Sequence, residues 1–395
     1  MIDISTIRDQ FPGITRDVVY LDNAATTQMH RSAIEAMEGY WRQGRANVGR
    51  GLYPLAESAM KQYESARTTI AEVVGADASQ CVFTKSVTEG LNTLAFGLRS
   101  RIGSGDEILI SPFEHHANIL PWRRIAKERG ATVRVMPMME NFELDFAGAQ
   151  AMINERTKIV AVTLVSNVLG AVLPIAKLAH FAHQAGATLI VDAAQAVAHI
   201  PVSMRSLGVD AIVFGAHKMY GPTGIGALVM APELIESLEP MILGGGMVDL
   251  VTDETTTWRE GIQKFEGGSP NVEAAIGWAA AAEALPLLTK EGPGEVSLRS
   301  QLVSGLVSIP GVTVFNPPNA IGIVAFSIDG LHPHDVADFL GAEGICVRAG
   351  NHCAAPLVQR LSENGVLRAS LGVYNDEQDV DRLLEALPRV TAQLR

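Results

Sequence analysis

The sequence predicts a two-domain α/β protein, with a large domain built on a mostly parallel, doubly wound sheet and a smaller α/β domain after it. Two observations indicate this fold. Between about residues 80 and 230, short apolar runs alternate with longer stretches of helical periodicity. The apolar runs show no polar–apolar alternation, which is typical of strands that helices cover on both faces. A chain of 395 residues, 47% of them hydrophobic and 19% charged, can bury the large core that such a fold needs.

The apolar runs and the helical stretches alternate in chain order. The predicted strands are residues 81–84, 107–110, 132–136, 158–165, 188–191 and 211–214. The predicted helices between them include residues 87–98, 118–129 and 175–184. Ligands of such parallel sheets bind outside the carboxyl ends of the strands, so residues that follow a predicted strand are the first candidates for a functional site.

The pattern changes after about residue 285. Residues 290–294 (K-E-G-P-G) combine helix breakers, and residues 309–318 contain three prolines. New strand-like runs follow at 322–328 and 345–347, and a helical segment begins at Glu377. We therefore predict a large domain at residues 19–280 and a small domain at residues 281–395, joined by the N-terminal segment 1–18.

Charge and hydropathy exclude two classes of function. The net charge of −12, from 31 Lys and Arg against 43 Asp and Glu, argues against nucleic-acid binding. Residues 159–176 carry no charge, but Asn167, Gly170 and Pro174 interrupt them, which indicates a buried strand and a turn rather than a membrane span. The first residues lack the pattern of a signal peptide, so a cytoplasmic location is expected.

The chain has three cysteines and no C-x-x-C pair, which argues against a disulfide framework or a cysteine-rich metal site. Cys81 and Cys346 lie in strand-like runs and are expected to be structural. Cys353 follows Gly350-Asn351-His352 in a polar, turn-like setting, five residues after Arg348. A free cysteine is most often a small buried hydrophobe, but this setting favours an exposed, reactive thiolate.

Two strand ends carry a carboxylate and an amine. Asp192 ends the run L-I-V-D, and Lys218 follows the next predicted strand in G-A-H-K. Alone, Asp192 is typical of a turn and Lys218 of a solvated surface. Together at one sheet edge, they match the needs of pyridoxal phosphate, which requires a lysine for its Schiff base and a carboxylate for its ring nitrogen.

Two further segments have competing interpretations. Residues 86–89 (S-V-T-E) lie between a predicted strand and helix, where backbone N–H groups and the Thr88 hydroxyl could hold a phosphate; an ordinary helix cap with Glu89 in the first turn is the alternative.

His115 and His116 suggest metal ligands, but adjacent residues do not share a helix face, and no carboxylate or cysteine spacing supports zinc. A histidine that stacks on a flat cofactor ring and takes part in proton transfer is the better interpretation.

Seven motifs connect these features to a known family. They are Y-L-D-N-A-A-T-T (20–27), E-H-H-A-N-I-L-P-W (114–122), V-S-N-V-L-G (165–170), V-D-A-A-Q (191–195), H-K-M-Y-G-P-T-G-I-G (217–226), F-E-G-G-S-P-N (265–271) and R-A-G-N-H-C-A (348–354). From about residue 10 to its end, the chain resembles the group II cysteine desulfurases, the SufS/CsdA branch of the class V aminotransferases. The resemblance implies PLP fold type I, pyridoxal 5′-phosphate as the cofactor and a homodimer, with no metal site.

The resemblance also implies roles for the residues around the cofactor ring. Lys218 would bind the cofactor covalently, and Asp192 would pair with the pyridine nitrogen. Gln195 would form a hydrogen bond with the phenolic oxygen, and His115 would stack on the ring face.

The same resemblance assigns the phosphate and the substrate. Thr88 and His217 would hold the phosphate, and Ser269, where the family usually has Thr, would reach the phosphate of the other subunit. A guanidinium can bond both oxygens of a carboxylate at once. The residues implied for the substrate carboxylate are Asn167, Arg368 and Arg348.

The activity implied is the conversion of L-cysteine to L-alanine, with a persulfide formed on Cys353. The sulfur would pass to an acceptor protein of the SufE, CsdE or SufU type, for iron–sulfur cluster assembly or related sulfur metabolism. One alternative is a preference for selenocysteine or cysteine sulfinate, since better leaving groups need less help from Cys353. Another is a non-catalytic scaffold subunit of a sulfur-transfer complex.

The chain departs from the family pattern at four places. Gly215 and Val87 stand where relatives have hydroxyl residues near the phosphate, which predicts a lower affinity for the cofactor. Gly49 replaces a histidine, and the segment after Gly246 is one residue shorter. These last two positions are expected to affect partner, dimer or substrate contacts.

Overall fold

A seven-stranded sheet forms the centre of the computed structural model, which describes residues 4–49, 51–291 and 294–395. The strands in chain order are β1 (Val19–Tyr20), β2 (Cys81–Thr84), β3 (Glu107–Ile110), β4 (Thr132–Val135), β5 (Thr157–Thr163), β6 (Thr188–Asp192), β7 (Ala211–Gly215), β8 (Gly226–Met230), β9 (Val248–Val251), β10 (Thr256–Trp258), β11 (Val312–Phe315), β12 (Ile323–Ile328), β13 (Ile345–Cys346), β14 (Arg348–Gly350) and β15 (Val366–Ser370). The sheet has the order β2-β8-β7-β6-β5-β3-β4, in which β8 runs antiparallel to both neighbours and the other pairs are parallel. The predicted mostly parallel sheet is confirmed.

Helices cover both faces of this sheet. The helices are α1 (Ile4–Arg8), α2 (Arg31–Gly39), α3 (Pro54–Val73), α4 (Val87–Leu98), α5 (Leu120–Arg129), α6 (Phe146–Met152), α7 (Ile175–Gln184), α8 (Met204–Leu207), α9 (Pro232–Ser237), α10 (Val272–Glu291), α11 (Glu295–Ser308), α12 (Pro333–Ala342), α13 (Ala355–Leu361) and α14 (Glu377–Leu394). Alternate residues of β5 belong to different cores: Ile159 joins the core formed with α4 and α5, and Val160 joins the core formed with α3, α7 and α10. The sheet is therefore doubly wound, and its central strands are apolar on both sides.

The predicted elements differ from the observed ones mainly at their ends. Strands β2 and β3 and helices α4 and α7 have the predicted bounds. Strand β5 ends at Thr163, two residues early, because Val165 forms an isolated bridge with Val172 across a turn instead of continuing the strand. Helix α5 begins at Leu120 rather than at residue 118, and it ends at Arg129, as predicted. The next residue, Gly130, caps the helix with a φ of 71°, a left-handed conformation that glycine adopts without strain.

The C-terminal part of the chain forms its own antiparallel sheet, in the order β11-β12-β15-β14. The predicted strands at 322–328 and 345–347 and the predicted C-terminal helix correspond to β12, β13 and α14. Helix α10 ends and α11 begins around the predicted breaker cluster, of which residues 292 and 293 lie outside the described part of the chain.

The N-terminal residues contact this C-terminal part. Strand β1 pairs in parallel with β13, and Arg8 of α1 forms an ion pair with Asp376 at 3.1 Å. The predicted domain boundary at residue 280 falls within α10 and stays a prediction.

Across the ranges that the structure describes, no helix is both long enough and apolar enough to cross a membrane. Residues 159–176 form β5, the turn after it and the start of α7.

Candidate active site

One cavity at the carboxyl ends of the central strands brings together nine of the eleven residues that the sequence predicts for the site. They are Thr88, His115, Asn167, Asp192, Gln195, His217, Lys218, Arg348 and Arg368. The segments after β3, β5, β6 and β7 supply most of them, since these neighbouring parallel strands end at the same edge of the sheet. The two arginines come from the C-terminal sheet, which closes the cavity from the other side.

Lys218 lies in a single turn of 3₁₀ helix directly after β7. Burial lowers the pKa of its amine to about 8; the Asp192 carboxylate opposes this shift, and the positive charges of Arg368 and Arg348 add to it. The neutral amine, which is the form that attacks a carbonyl carbon, is therefore far more populated near physiological pH than in an ordinary lysine.

Asp192 is the last residue of β6 and is buried, with an exposed fraction of 4%. The backbone N–H of Ala194 donates a hydrogen bond to its Oδ1 at 2.9 Å. Burial raises the pKa of the carboxyl, and the positive charge of Lys218 offsets only part of that rise. A protonated ring nitrogen would supply the cationic partner that this carboxylate lacks.

The histidines of the cavity are neutral at pH 7. Burial, followed by the charge of Lys218, lowers the pKa of His115 and of His217 to about 4. The N–H of Ala117 donates to Nδ1 of His115 at 3.1 Å, so the neutral ring carries its proton on Nε2. His115 thus combines a flat, uncharged face with one N–H donor.

Glu114 fixes the segment that carries His115. Its buried carboxyl group accepts hydrogen bonds from the N–H of Thr163 at 2.7 Å, from Nδ2 of Asn118 at 2.6 Å and from the hydroxyl of Ser111. Burial raises the pKa of Glu114 to about 8. Sequence reasoning assigned no role to this residue, although a charged residue four positions after the end of an apolar strand was a usable signal.

The start of α4 supports both interpretations of residues 86–89. The Ser86 hydroxyl accepts a hydrogen bond from the N–H of Glu89 at 3.3 Å, so it is an ordinary helix cap. Ser86, Val87 and Thr88 nevertheless line the cavity, at the end of the helix where N–H groups have no partner within the helix. The cap and a phosphate site are therefore compatible.

Arg348 and Arg368 form a cationic surface on the C-terminal sheet. They are direct partners in the antiparallel pair β14–β15 and so lie on the same face. Arg368 is fully buried; its Nη2 donates to Oδ1 of Asp22 at 2.8 Å and its Nη1 to the carbonyl of Asn167 at 2.8 Å. Two like charges placed opposite each other favour an anionic ligand between them.

Unpartnered polar atoms mark where a ligand would fit. Within the described ranges, five buried side-chain polar atoms have no hydrogen-bond partner, and three of them belong to residues of this cavity. They are Nε of Arg368, Oδ1 of Asn167 and Nδ1 of His352. Buried polar groups are rarely left unpaired. Nε of Arg368 is a donor and fits a carboxylate, whereas Oδ1 of Asn167 and Nδ1 of His352, whose Nε2 donates to the carbonyl of Val366, are acceptors and fit a donor group. This end of the cavity therefore fits a ligand that carries both a carboxylate and a hydrogen-bond donor, such as an amino acid.

Cys353 lies beside the cavity rather than in it. It is exposed, and it borders a mostly apolar groove that also contains His115 and Thr88. The other two thiols are less suited to chemistry: burial raises the pKa of Cys81 to about 12, and it also raises the pKa of half-buried Cys346. Both lie in strands, as predicted.

Ser269 lies outside the cavity. It is exposed and lines a different groove, together with Asn47, Gly49 and Gly246. The structure thus separates Ser269 from the other predicted phosphate residues, Thr88 and His217, within one chain. Its predicted role at the phosphate of another subunit stays a prediction.

Two residues of the cavity region were missed at the sequence level. Asp22 pairs with Arg368, and the buried His352 lines the cavity, with its pKa lowered to about 3 by burial and by the charge of Arg368. Both lie inside motifs that were recognised, but their contacts depend on how distant segments meet.

Comparison with known proteins gives consistent results. The model of the family "Aminotransferase class-V" matches residues 19–383. A protein of Halalkalibacterium halodurans named "Probable cysteine desulfurase" is 40% identical over 392 residues, covering 97% of each chain. Among solved structures, an apo cysteine desulfurase from Thermococcus onnurineus NA1 superposes with a TM-score of 0.95 at 35% identity, covering 99% of each chain. The Escherichia coli cysteine desulfurase CsdA superposes with a TM-score of 0.92 at 35% identity over the whole of both chains.

Proposed function

The chain belongs to the class-V aminotransferase family and, within it, to the PLP-dependent cysteine desulfurases; from this premise we propose that it converts L-cysteine to L-alanine and takes up the sulfur on Cys353. One observation carries the proposal: an exposed thiol borders a cavity that contains a buried amine of lowered pKa, a buried carboxylate and two facing arginines. The identity of the relatives as enzymes favours this activity over the scaffold alternative.

The residues of the cavity fit pyridoxal phosphate. When bound, this cofactor supplies a carbonyl group that condenses with amines and a ring that withdraws electrons from the attached amino acid. We propose that Lys218 binds it covalently, that Asp192 holds the charged ring nitrogen and that His115 lies against the ring face. Gln195 donates one amide N–H to the carbonyl of Ala24 at 2.8 Å and retains a second N–H for the ring oxygen.

The two ends of the ligand would be held by different segments. The phosphate fits at the start of α4, where Thr88 contributes a hydroxyl and His217 also lines the cavity. The substrate carboxylate fits at the opposite end, between Arg348, the unpaired Nε of Arg368 and Asn167. In this orientation Nζ of Lys218 accepts the proton from Cα of the substrate, because the neutral form of its amine is populated at pH 7 to 8.

Cys353 then receives the sulfur. Its thiolate attacks the substrate sulfur atom; the new S–S bond forms as the substrate Cβ–S bond breaks, and the electron pair of that bond remains with the carbon fragment. The fragment takes up a proton at Cβ and leaves as L-alanine. Overall, L-cysteine and the Cys353 thiol give L-alanine and a Cys353 persulfide, so that atoms and electrons balance.

Variants at Lys218 and Cys353 test this assignment. Lys218→Ala is expected to abolish the change in cofactor absorbance that L-cysteine causes. Cys353→Ser is expected to keep that change but to form no persulfide and release alanine at background rate, whereas the matched control Cys346→Ser should behave as the wild type. Desulfuration at full rate by Cys353→Ser would refute the assignment.

We further propose a homodimer in which Ser269 reaches the phosphate of the other subunit. Ser269 lies in a groove with Asn47, Met60 and Gly246, and large apolar side chains close to these residues in sequence are exposed, among them Leu52 at 96% and Leu243 at 62%. An apolar surface of this kind is typical of an interface between subunits.

The sulfur would leave through an acceptor protein, for iron–sulfur cluster assembly or related metabolism. The exposed thiol of Cys353 and the neighbouring Leu120, which is 57% exposed, give such a protein an apolar surface next to the persulfide. A persulfide-transfer assay with candidate acceptors tests this partner.

Alanine release measured with cysteine, selenocysteine and cysteine sulfinate decides the preferred substrate. The cytoplasmic location stays a prediction.

A further inference from the structure

The turn that carries Cys353 has an unfavourable backbone conformation. Both His352 and Cys353 have positive φ angles, of 47° and 54°. Side chains other than glycine rarely adopt this region, and such residues persist where surrounding contacts hold them. Inside the turn, the N–H of Ala354 donates to the carbonyl of Asn351 at 2.8 Å. The contacts from outside the turn therefore decide where the thiol lies.

His116 supplies two of these contacts, both to the peptide groups that directly follow Cys353. Its backbone N–H donates to the carbonyl of Cys353 at 2.7 Å. Its ring Nε2 accepts a hydrogen bond from the N–H of Ala355 at 3.1 Å, which requires the neutral ring with its proton on Nδ1. A third contact comes from Asn167, whose Nδ2 donates to the carbonyl of His352 at 2.8 Å.

His116 is also tied directly to the cavity. It follows His115, and the two ring centroids are 6.3 Å apart. His115 lines the cavity, whereas His116 lines the groove beside Cys353. The main chain between these histidines thus sets the distance between the cavity and the thiol.

We propose that His116 is a positioning residue for sulfur transfer. It holds the turn that carries Cys353 at a fixed distance from His115, so that the thiolate reaches the substrate sulfur. The proposal rests on the proposed function. It assigns no ionisation of the thiol and no substrate contact to His116, because its hydrogen bonds go to the two peptide groups that follow Cys353. Small displacements of a reacting group cost large factors in rate, so the loss of the ring contact should appear in the rate of sulfur transfer.

The experiment compares His116→Ala, His116→Gln and the surface control His180→Ala in the cofactor-loaded protein. In His116→Ala, kcat for persulfide formation should fall by roughly tenfold or more, with KM for L-cysteine and the cofactor absorbance unchanged. Glutamine places an acceptor oxygen near the position of Nε2, so His116→Gln should recover kcat to within about threefold of the wild type. His180, which is exposed, should show no effect.

Two further measurements separate positioning from other roles. Hydrogen exchange of the Ala355 amide should accelerate in His116→Ala and return toward the wild-type rate in His116→Gln, and this readout does not depend on turnover. The pH profile of Cys353 alkylation by iodoacetamide should be the same in all variants.

Four results would overturn the proposal: wild-type kcat in His116→Ala, unchanged Ala355 exchange in that variant, a glutamine variant as impaired as the alanine variant, or a shifted alkylation profile. If the wild-type protein releases no alanine from L-cysteine, the proposed function fails, and the Ala355 exchange still decides whether His116 holds the turn.

Discussion

At the residue scale, burial adapts ordinary side chains to the chemistry of the site. The same loss of water lowers the pKa of the Lys218 amine to about 8 and raises the pKa of the Asp192 carboxyl. It also keeps His115 neutral, with its pKa lowered to about 4. Each shift follows from the cost of placing a charge away from water, and each favours the neutral form of the group.

The lowered pKa of Lys218 predicts how the cofactor-free protein takes up pyridoxal phosphate. The neutral amine is the attacking form, so the rate of uptake should rise with pH to a plateau, with a midpoint near 8 instead of the 10.5 of an ordinary lysine. Because the Asp192 carboxylate raises this pKa, Asp192→Asn should move the midpoint to lower pH. Stopped-flow absorbance between pH 6 and 10 measures both; a wild-type rate that is still rising at pH 10, as for an ordinary lysine, would contradict the prediction.

The most informative contact at the element scale joins the start of α4 to the end of β7 and the start of β8. A Cβ atom added to Gly226 would lie 3.1 Å from the backbone nitrogen of Val87, and one added to Gly215 would lie 3.3 Å from Cγ2 of Val87. The two positions where the family resemblance implies hydroxyls, residues 87 and 215, are therefore neighbours in space. Glycine at 215 and 226 lets the helix start lie directly against the sheet edge.

This packing predicts the effect of restoring one hydroxyl. Val87→Thr keeps the branched shape of the side chain and adds a donor at the edge of the cavity, so the Kd for pyridoxal phosphate should fall by up to about fivefold, or about 1 kcal/mol. The matched control Val87→Ala removes the branch without adding a donor and should not tighten binding. Equilibrium titration followed by absorbance measures both variants; unchanged affinity in Val87→Thr would mean that the hydroxyl does not reach the phosphate.

At the scale of the whole molecule, the candidate site is built from both sheets. The main sheet supplies Lys218, Asp192 and His115 at its strand ends, and the C-terminal sheet supplies the two arginines and the turn that carries Cys353. The ion pair between His199 and Glu295, at 2.8 Å, is another contact between the segments on either side of α10. The relative placement of the two sheets therefore sets the geometry of the site.

The proposed dimer predicts the behaviour of surface variants. A charge at Leu52 and Leu243 would be buried in the interface, so the double variant Leu52→Glu/Leu243→Glu should sediment as a monomer where the wild type sediments at twice the chain mass. It should also retain pyridoxal phosphate more weakly, because Ser269 of the other subunit is lost. Val307→Glu, at a residue that is 65% exposed on α11, is the matched control and should remain a dimer. A dimeric double variant would place the interface elsewhere.

Much of the fold was predictable because its signals are local. The bounds of β2, β3, α4 and α7 follow from apolar runs and caps within a few residues. The end of β5 was not predictable, since it depends on the bridge between Val165 and Val172 that turns the chain back. Nine of the residues that motif recognition assigned to the site line one cavity, but motif recognition gave no role to Glu114, Asp22 or His352.

The fold class, the strand ends that carry Lys218 and Asp192, and the cysteine in a polar turn can be predicted from the amino-acid sequence, because each depends on residues that are near one another in the chain. Which distant side chains contact one another follows from the packing of the folded chain. Arg368 bonds to Asn167, which is 201 positions away, and Ala355 bonds to His116, which is 239 positions away. Such contacts depend on how the two sheets pack, and no local pattern of residues specifies which distant residues will meet.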